Sequence, residues 1–150
     1  MLTGKFFGIV LNCSMKKVFV NGCFDLLHKG HIELLNYAKN QGDYLLVGLD
    51  SDERIKSKKG YDRPINNINN RLVVLSNLKS VDQVEVFDSD SELSDLVKKY
   101  EPDIMIVGSD WKGQTVIGSE YAKSIIFFDR IENESTTNII ENYINRRHLR

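Results

Sequence analysis

Proline and cysteine are scarce in this 150-residue chain, with two of each, and no tract is of low complexity. That scarcity of proline, without a polar tract, excludes a long linker or a disordered tail. Cys13 and Cys23 form no Cys-x-x-Cys, which argues against a disulfide framework and a zinc ribbon. A reduced, cytoplasmic protein is the expectation. An excess of either charge is also missing: Lys and Arg number 20, Asp and Glu 21, and the net charge is −1. No global field attracts nucleic acid or an acidic membrane. Neither partner is expected, and any basic site must be local. Long apolar runs are absent too. Lys5 followed by Phe6-Phe7-Gly8-Ile9-Val10-Leu11 is well below membrane-spanning length and has no small-residue cleavage site after it. Either Met15 is the natural start or residues 1–14 form a peripheral N-terminal extension, and residues 15–150 are expected to be one domain.

The residues that are present describe an ordinary globular domain, 41% apolar and 27% charged. Short apolar runs, rich in β-branched and aromatic residues, fall at Val18–Val20, Tyr44–Leu49, Val84–Phe87, Ile104–Val107 and Ile125–Phe128. They are mostly apolar on both faces, the pattern of central strands in a parallel sheet. Helical spacing separates them. His31, Leu34, Leu35 and Ala38 share one face before Gly42, and Leu72, Leu75 and Leu78 share another. Residues 90–100 start with Asp and Ser caps and stop before Pro102. The segment from Thr136 to about Arg147 carries Ile139, Ile140, Tyr143 and Ile144. Strict alternation of strand and helix predicts an α/β fold: one Rossmann-like, doubly wound domain with a five-stranded parallel sheet. In such sheets ligands bind beyond the carboxyl ends of the strands, at the switch point.

The first strand-to-helix turn is Asn21-Gly22-Cys23-Phe24-Asp25-Leu26-Leu27-His28-Lys29-Gly30-His31. Backbone N–H groups and a helix N-terminus at such a turn attract phosphate. Neither a Gly-x-Gly-x-x-Gly nor a Gly-x-x-x-x-Gly-Lys-Ser/Thr occurs there, which argues against a dinucleotide dehydrogenase. The turn instead holds His28 and His31, spaced i and i+3, so both fall on one face of the first helical turn. Gly30 between them removes a side chain where a triphosphate passes the backbone. No metal site is expected, because no Glu lies between the histidines and the remaining His148 is at the end of the chain.

This segment resembles the His-x-Gly-His signature of the cytidylyltransferase-like nucleotidyltransferases, and the resemblance extends over roughly residues 16–145. Glu134-Ser135-Thr136-Thr137-Asn138-Ile139-Ile140 resembles the family stretch that opens the last helix and touches nucleotide phosphates. The resemblance implies attack by a phosphorylated substrate on the α-phosphorus of a nucleoside triphosphate, with release of pyrophosphate. A phosphate nucleophile is already ionised near neutral pH, so positioning and positive charge matter more than a general base. It further implies catalytic roles for His28, His31, Lys59 and Arg71. Nucleotide contacts are expected from Gly22, Cys23, Phe24, His28, Gly30, His31, Gly108, Asp110, Trp111, Arg130, Ser135, Thr136 and Thr137. Asp25, Lys59, Arg63 and Arg71 are expected at the acceptor. For Trp111 an exposed surface aromatic is the equal alternative, and Lys56 and Lys58 stay open. Asp50 and Asp52 are read as helix caps as readily as acceptor or metal contacts.

Arg63-Pro64-Ile65-Asn66, Ile117-Gly118-Ser119 and Ser135–Ile140 resemble the domain of bacterial heptose-phosphate synthesis that joins ATP to a heptose 1-phosphate. Asp110-Trp111-Lys112-Gly113 and Arg130 instead resemble glycerol-3-phosphate cytidylyltransferase, which uses CTP. The longer match favours the heptose type, with any kinase step expected from another protein. The alternative of another class is a nucleotide-binding regulator without catalysis. Mg²⁺ carried on the triphosphate and a homodimer are what the family implies.

Overall fold

The computed structural model describes residues 14–129 and 135–148, with side chains through Arg146. The expected extension therefore lies, except for Ser14, outside the described residues. Five parallel strands form one sheet: β1 (Lys17–Gly22), β2 (Tyr44–Asp50), β3 (Gln83–Phe87), β4 (Ile104–Gly108) and β5 (Ser124–Phe128), in the order β3-β2-β1-β4-β5. β1 pairs with β2 from Lys17↔Tyr44 to Gly22↔Leu49, and with β4 from Val18↔Ile104 to Val20↔Ile106. From β1 the chain winds outward first through β2 and β3, then through β4 and β5. The switch point thus lies between β1 and β4.

Because side chains alternate along a strand, the central strands need apolar residues at every position. Val18 and Val20 of β1, with Leu45, Val47 and Leu49 of β2, enter a core with Leu35 and Ala38 of α1 (Lys29–Lys39) and Leu75 of α3 (Ile68–Ser76). Phe19 and Leu46 point the other way, meeting Leu93 and Val97 of α4 (Asp90–Tyr100). Burying each such side chain stabilises the fold by about 1.5–3 kcal/mol. Two of the five runs differ from the expected central pattern. β3 and β5 are edges, and Val86 and Ile125 are exposed. Gln83 and Glu85 already alternate with the valines of β3, as an edge strand with one wet face requires.

The helices also depart from strict alternation. β2 and β3 are joined by two, α2 (Asp52–Lys59) and α3. α2 buries only Arg54 and Ile55, so it has almost no amphipathic pattern. Its ends are well signalled nonetheless: Ser51 Oγ accepts from Arg54 N, acids occupy the first turn, lysines the last, and Gly60 closes it at φ 98°. Between β4 and β5 the expected α-helix is replaced by two 3₁₀ turns, Ser109–Trp111 and Ser119–Tyr121. Val116, Ile117, Tyr121 and Ala122 cover the sheet there. α5 (Thr136–His148) follows β5.

Gly118 is left-handed at φ 78°, and a Cβ there would lie 2.8 Å from Val97 Cβ. Gly118→Ala should therefore cost about 1–3 kcal/mol, from backbone strain and overpacking together. In a Val97→Ala background the cost should fall without vanishing, because the contacts with the two Cγ atoms, at 2.9 and 3.3 Å, are removed while the Cβ contact and the left-handed backbone remain. Urea midpoints of the four proteins check this, and an equal cost in both backgrounds contradicts it.

Candidate active site at the switch point

β1 ends at Gly22, and the chain turns at Phe24, which is buried and left-handed at φ 44°. The Phe24 ring lies 3.2 Å from where a Cβ on Gly22 would sit, so a side chain at that position would press on the ring. Gly22 and Phe24 thereby act on the shape of the loop. His28 is the N-cap residue of α1, in extended backbone, and its side chain does not cap the helix. His31 N and Ile32 N donate to its carbonyl. The two imidazoles stack, centroids 3.8 Å apart at 29°, and the Phe24 ring lies against His31 at 5.2 Å. Both rings thus stand at the positive end of α1, with Gly30 in its first turn, beyond the carboxyl end of β1.

A second helix N-terminus reaches this loop from the far end of the chain. Thr136 Oγ1 donates to Leu26 O at 3.3 Å, and Ser135 Oγ caps α5 by accepting from Asn138 N at 3.1 Å. Two helix N-termini therefore meet at one loop, which favours an anion. Thr137 lies in the first turn of α5 and is exposed. Gly108 ends β4 at the switch point, and Asp110 and Trp111 follow on the 3₁₀ turn, both exposed. Arg130 lies outside the described residues.

The basic residues divide in a way that spacing alone does not reveal. The Arg71 side chain is fully buried. Its Nε donates to Asn66 O (2.9 Å), Nη1 to Cys23 O and Asp50 O (both 2.8 Å), and Nη2 to Asp52 Oδ1 (2.7 Å). A guanidinium engaged this way does not reach a substrate. Arg71, expected among the catalytic residues, is a strut between the phosphate loop, the end of β2 and the α2–α3 connection. Asp25, expected at the acceptor, is also buried, and its carboxylate accepts from Arg63 Nε, Ile65 N and Asn66 N. Its role is to hold the connection, not to touch a ligand.

Arg54 escaped the sequence reading altogether. It is buried, its Nε donates to Asp50 Oδ1 at 2.6 Å and its Nη2 to Asp90 Oδ1 at 2.5 Å, and it lies 5.1 Å over the Phe87 ring. The Ser51 cap and acidic first turn announced the helix that carries it, but nothing local announced its burial. Asp50 and Asp52 answer Arg54 and Arg71, so the cap reading of these acids was too modest. Asp52 does bond a helix start, Ile68 N of α3, while tying down Arg71.

Lys59, the last residue of α2 and exposed, has its ammonium close enough to Cys23 to favour the thiolate. The same thiol faces Asp50 Oδ2 at 3.5 Å. Burial, then the Asp50 carboxylate, push the Cys23 thiol above its usual range, while Lys59 pulls it part of the way back. Lys59 thus stands at the rim of the loop that carries the histidines. A stacked imidazole pair, a lysine and two helix N-termini concentrate donors and positive potential in a chain of nearly zero net charge.

Fold and site together are those of an α/β domain with an anion-attracting turn at the switch point of its sheet. The cytidylyltransferase-like family model matches residues 19–142, and the chain belongs to that family. It is 48% identical over 126 residues to the bifunctional protein HldE of Helicobacter hepaticus, and equally to that of Campylobacter concisus. Each match covers 84% of this chain and 26% of the relative, so the chain spans about a quarter of the length of these curated relatives. Among solved structures, the lipopolysaccharide core biosynthesis protein from Thermoplasma volcanium superposes with a TM-score of 0.61 at 30% identity, over 81% of this chain and all of the other. A protein of unknown function from Archaeoglobus fulgidus shares the fold, with a TM-score of 0.58 at 16% identity, over 79% of this chain and 93% of the other.

Replacing Arg71 by Met strands Asp52 and three carbonyls and should cost about 3–5 kcal/mol of stability. Lys keeps the charge but not the fork, and should recover only part of it. Denaturant unfolding checks both variants, and a Met variant as stable as the wild type contradicts the strut. In a Cys13→Ser background, the pH profile of Cys23 alkylation by iodoacetamide should inflect above the ordinary thiol range. Lys59→Ala should move the inflection higher still, since the ammonium is the group favouring thiolate. An unmoved or lowered inflection argues against the contact.

Proposed function

We propose that this domain transfers the AMP moiety of ATP to a heptose 1-phosphate, giving an ADP-sugar and pyrophosphate. The observation that carries the reading is the stacked His28–His31 pair at the N-terminus of α1, bordered by the N-terminus of α5. The relatives named above, an HldE and a lipopolysaccharide core biosynthesis protein, support a sugar-phosphate acceptor.

In the proposed reaction an oxygen of the acceptor phosphate attacks the α-phosphorus, and the bond from that phosphorus to the bridging oxygen of the β-phosphate breaks. That oxygen leaves with pyrophosphate. His28 and His31 act as donors to the α- and β-phosphates, where charge builds up in the transition state. Ser135, Thr136 and the exposed Thr137 hold the outer phosphates with the free N–H groups of α5. Lys59 screens the charge brought together by two anionic substrates. Gly108, Asp110 and Trp111 lie where base and ribose would extend from this phosphate site. Mg²⁺ is proposed to arrive on the triphosphate and neutralise the leaving pyrophosphate. Of the acids close to the loop, Asp50 and Asp52 already answer Arg54 and Arg71, so the ion depends mainly on phosphate oxygens. The proposal includes a homodimer and a cytoplasmic setting, where ATP is available. Among the described residues, no helix is long and apolar enough to cross a membrane.

The test is pyrophosphate release from ATP and CTP, each with heptose 1-phosphate, sn-glycerol 3-phosphate and hexose 1-phosphates. Turnover with ATP and heptose 1-phosphate is expected. Preference for CTP and glycerol 3-phosphate would replace this assignment by the cytidylyl one, and tight nucleotide binding without turnover would make the domain a regulator. His28→Ala and His31→Ala should each lower kcat about 10²–10³-fold with the thermal midpoint nearly unchanged. Near-normal kcat in both variants sinks the reading.

A further inference from the structure

The connection between α2 and α3 is fastened to the phosphate loop through one residue. The Asp25 side chain is 1% exposed. Its Oδ2 accepts from Arg63 Nε and from Ile65 N, both at 2.9 Å, and its Oδ1 from Asn66 N at 2.8 Å. Its own carbonyl accepts from Asn66 Nδ2 at 2.9 Å. Three bonds to the carboxylate and one to the backbone carbonyl, all from a four-residue stretch, commit Asp25 to holding this connection.

Arg63 is in a different position. Its backbone N–H closes a turn on Gly60 O at 3.2 Å, and its side chain is 14% exposed. Asp25 takes the Nε, and among the described residues neither Nη donates to a protein acceptor. A planar guanidinium gripped at Nε is fixed in orientation, and its remaining edge carries a parallel pair of donors. That pair matches two oxygens of a phosphate. The location is also informative. Asp25 lies between Cys23, where the Lys59 ammonium sits, and His28. The turn holding Arg63 starts at Gly60, directly after Lys59. Arg63 is thus tied to the loop that carries the histidines, through a segment distinct from the one that brings in α5.

We infer that Arg63 binds the phosphate of the acceptor and that Asp25 is the positioning residue that aims it. The inference rests on the proposed transfer reaction. It assigns the two anionic substrates to different segments: triphosphate to the helix N-termini and Ser135–Thr137, acceptor phosphate to the Gly60–Asn66 connection. Asp25 accordingly links the placement of the acceptor to the loop that carries the histidines.

Steady-state kinetics on the full chain with ATP and heptose 1-phosphate test the inference. Arg63→Gln should raise the KM for heptose 1-phosphate by about tenfold or more while the KM for ATP stays within about twofold, as for loss of a charge-assisted hydrogen bond to one substrate only. Arg63→Lys, which keeps charge without the fork, should fall between. Asp25→Asn should show the same selective rise. The double variant Asp25→Asn/Arg63→Gln should be no worse in acceptor KM than Arg63→Gln alone, because Asp25 acts through Arg63. A merely structural Asp25 would lower stability and impair both substrates, or add its effect to that of Arg63. Should Asp25→Asn fail to fold, the two Arg63 variants still decide the acceptor assignment. An unchanged acceptor KM in Arg63→Gln, equal rises in both KM values, or additivity overturns the inference alone. Absence of turnover by the wild type with every phosphorylated acceptor overturns the proposed reaction and this inference with it.

Discussion

The buried guanidinium of Arg71 joins the phosphate loop, the β2–α2 corner and the α2–α3 connection. Its four hydrogen bonds reach the phosphate loop at Cys23, the end of β2 at Asp50, the start of α2 at Asp52 and the α2–α3 connection at Asn66. Burying a charge is costly unless each donor finds a partner, and here carbonyls do most of that work alongside one carboxylate. The consequence is geometric. Loop backbone at the carboxyl edge of a parallel sheet has unpaired carbonyls, and one planar fork satisfies three of them while fixing their spacing. The histidine-bearing loop keeps its shape because the residues before it are held from behind.

A division among the cations follows. Arg71 and Arg54 are buried and bonded to protein, whereas Lys59 and Arg63 keep donors near the surface of the same region. Their acidic partners sort the same way. Asp50, Asp52 and Asp25 each hold an arginine, so the charge of each acid is offset by a bonded cation. A protein with a net charge of −1 can in this way carry a locally positive surface. The two helix N-termini add to that potential without adding formal charge.

Much of this was legible in the sequence. Val18–Val20, Tyr44–Leu49 and Ile104–Val107 are apolar at every position because both faces of a central strand are covered, and that signal is purely local. The His28-Lys29-Gly30-His31 turn was legible for the same reason, since spacing within one helical turn determines which side chains share a face, whereas Ser135 at the start of the last helix was legible from the family resemblance. What was not legible depends on long-range contact. Arg54 and Arg71 each have one local partner, Asp50 and Asn66, but nothing nearby says that the others lie 36 and 19 to 48 residues away. An arginine in a hydrophilic neighbourhood reads as a surface or ligand residue until the fold brings in its carbonyls. α2 was missed because periodicity was the criterion, and a helix that buries two residues has none. Its capping pattern was the better signal.

The segment Cys23–Asp25 shows how closely structural and chemical roles can be interleaved. Cys23 meets Lys59 and Asp50 through its side chain and Arg71 through its carbonyl. Phe24 takes up the strain of a left-handed turn, buries its ring and packs against His31. Asp25 fastens the α2–α3 connection. None of the three has to touch a phosphate for the site to depend on it, since each fixes a residue or backbone group in or beside the phosphate loop. A motif recognised as a ligand-binding signature is therefore read more accurately as two layers. His28, Gly30 and His31 stand at the start of α1, while Gly22 through Asp25 set the position of that helix start.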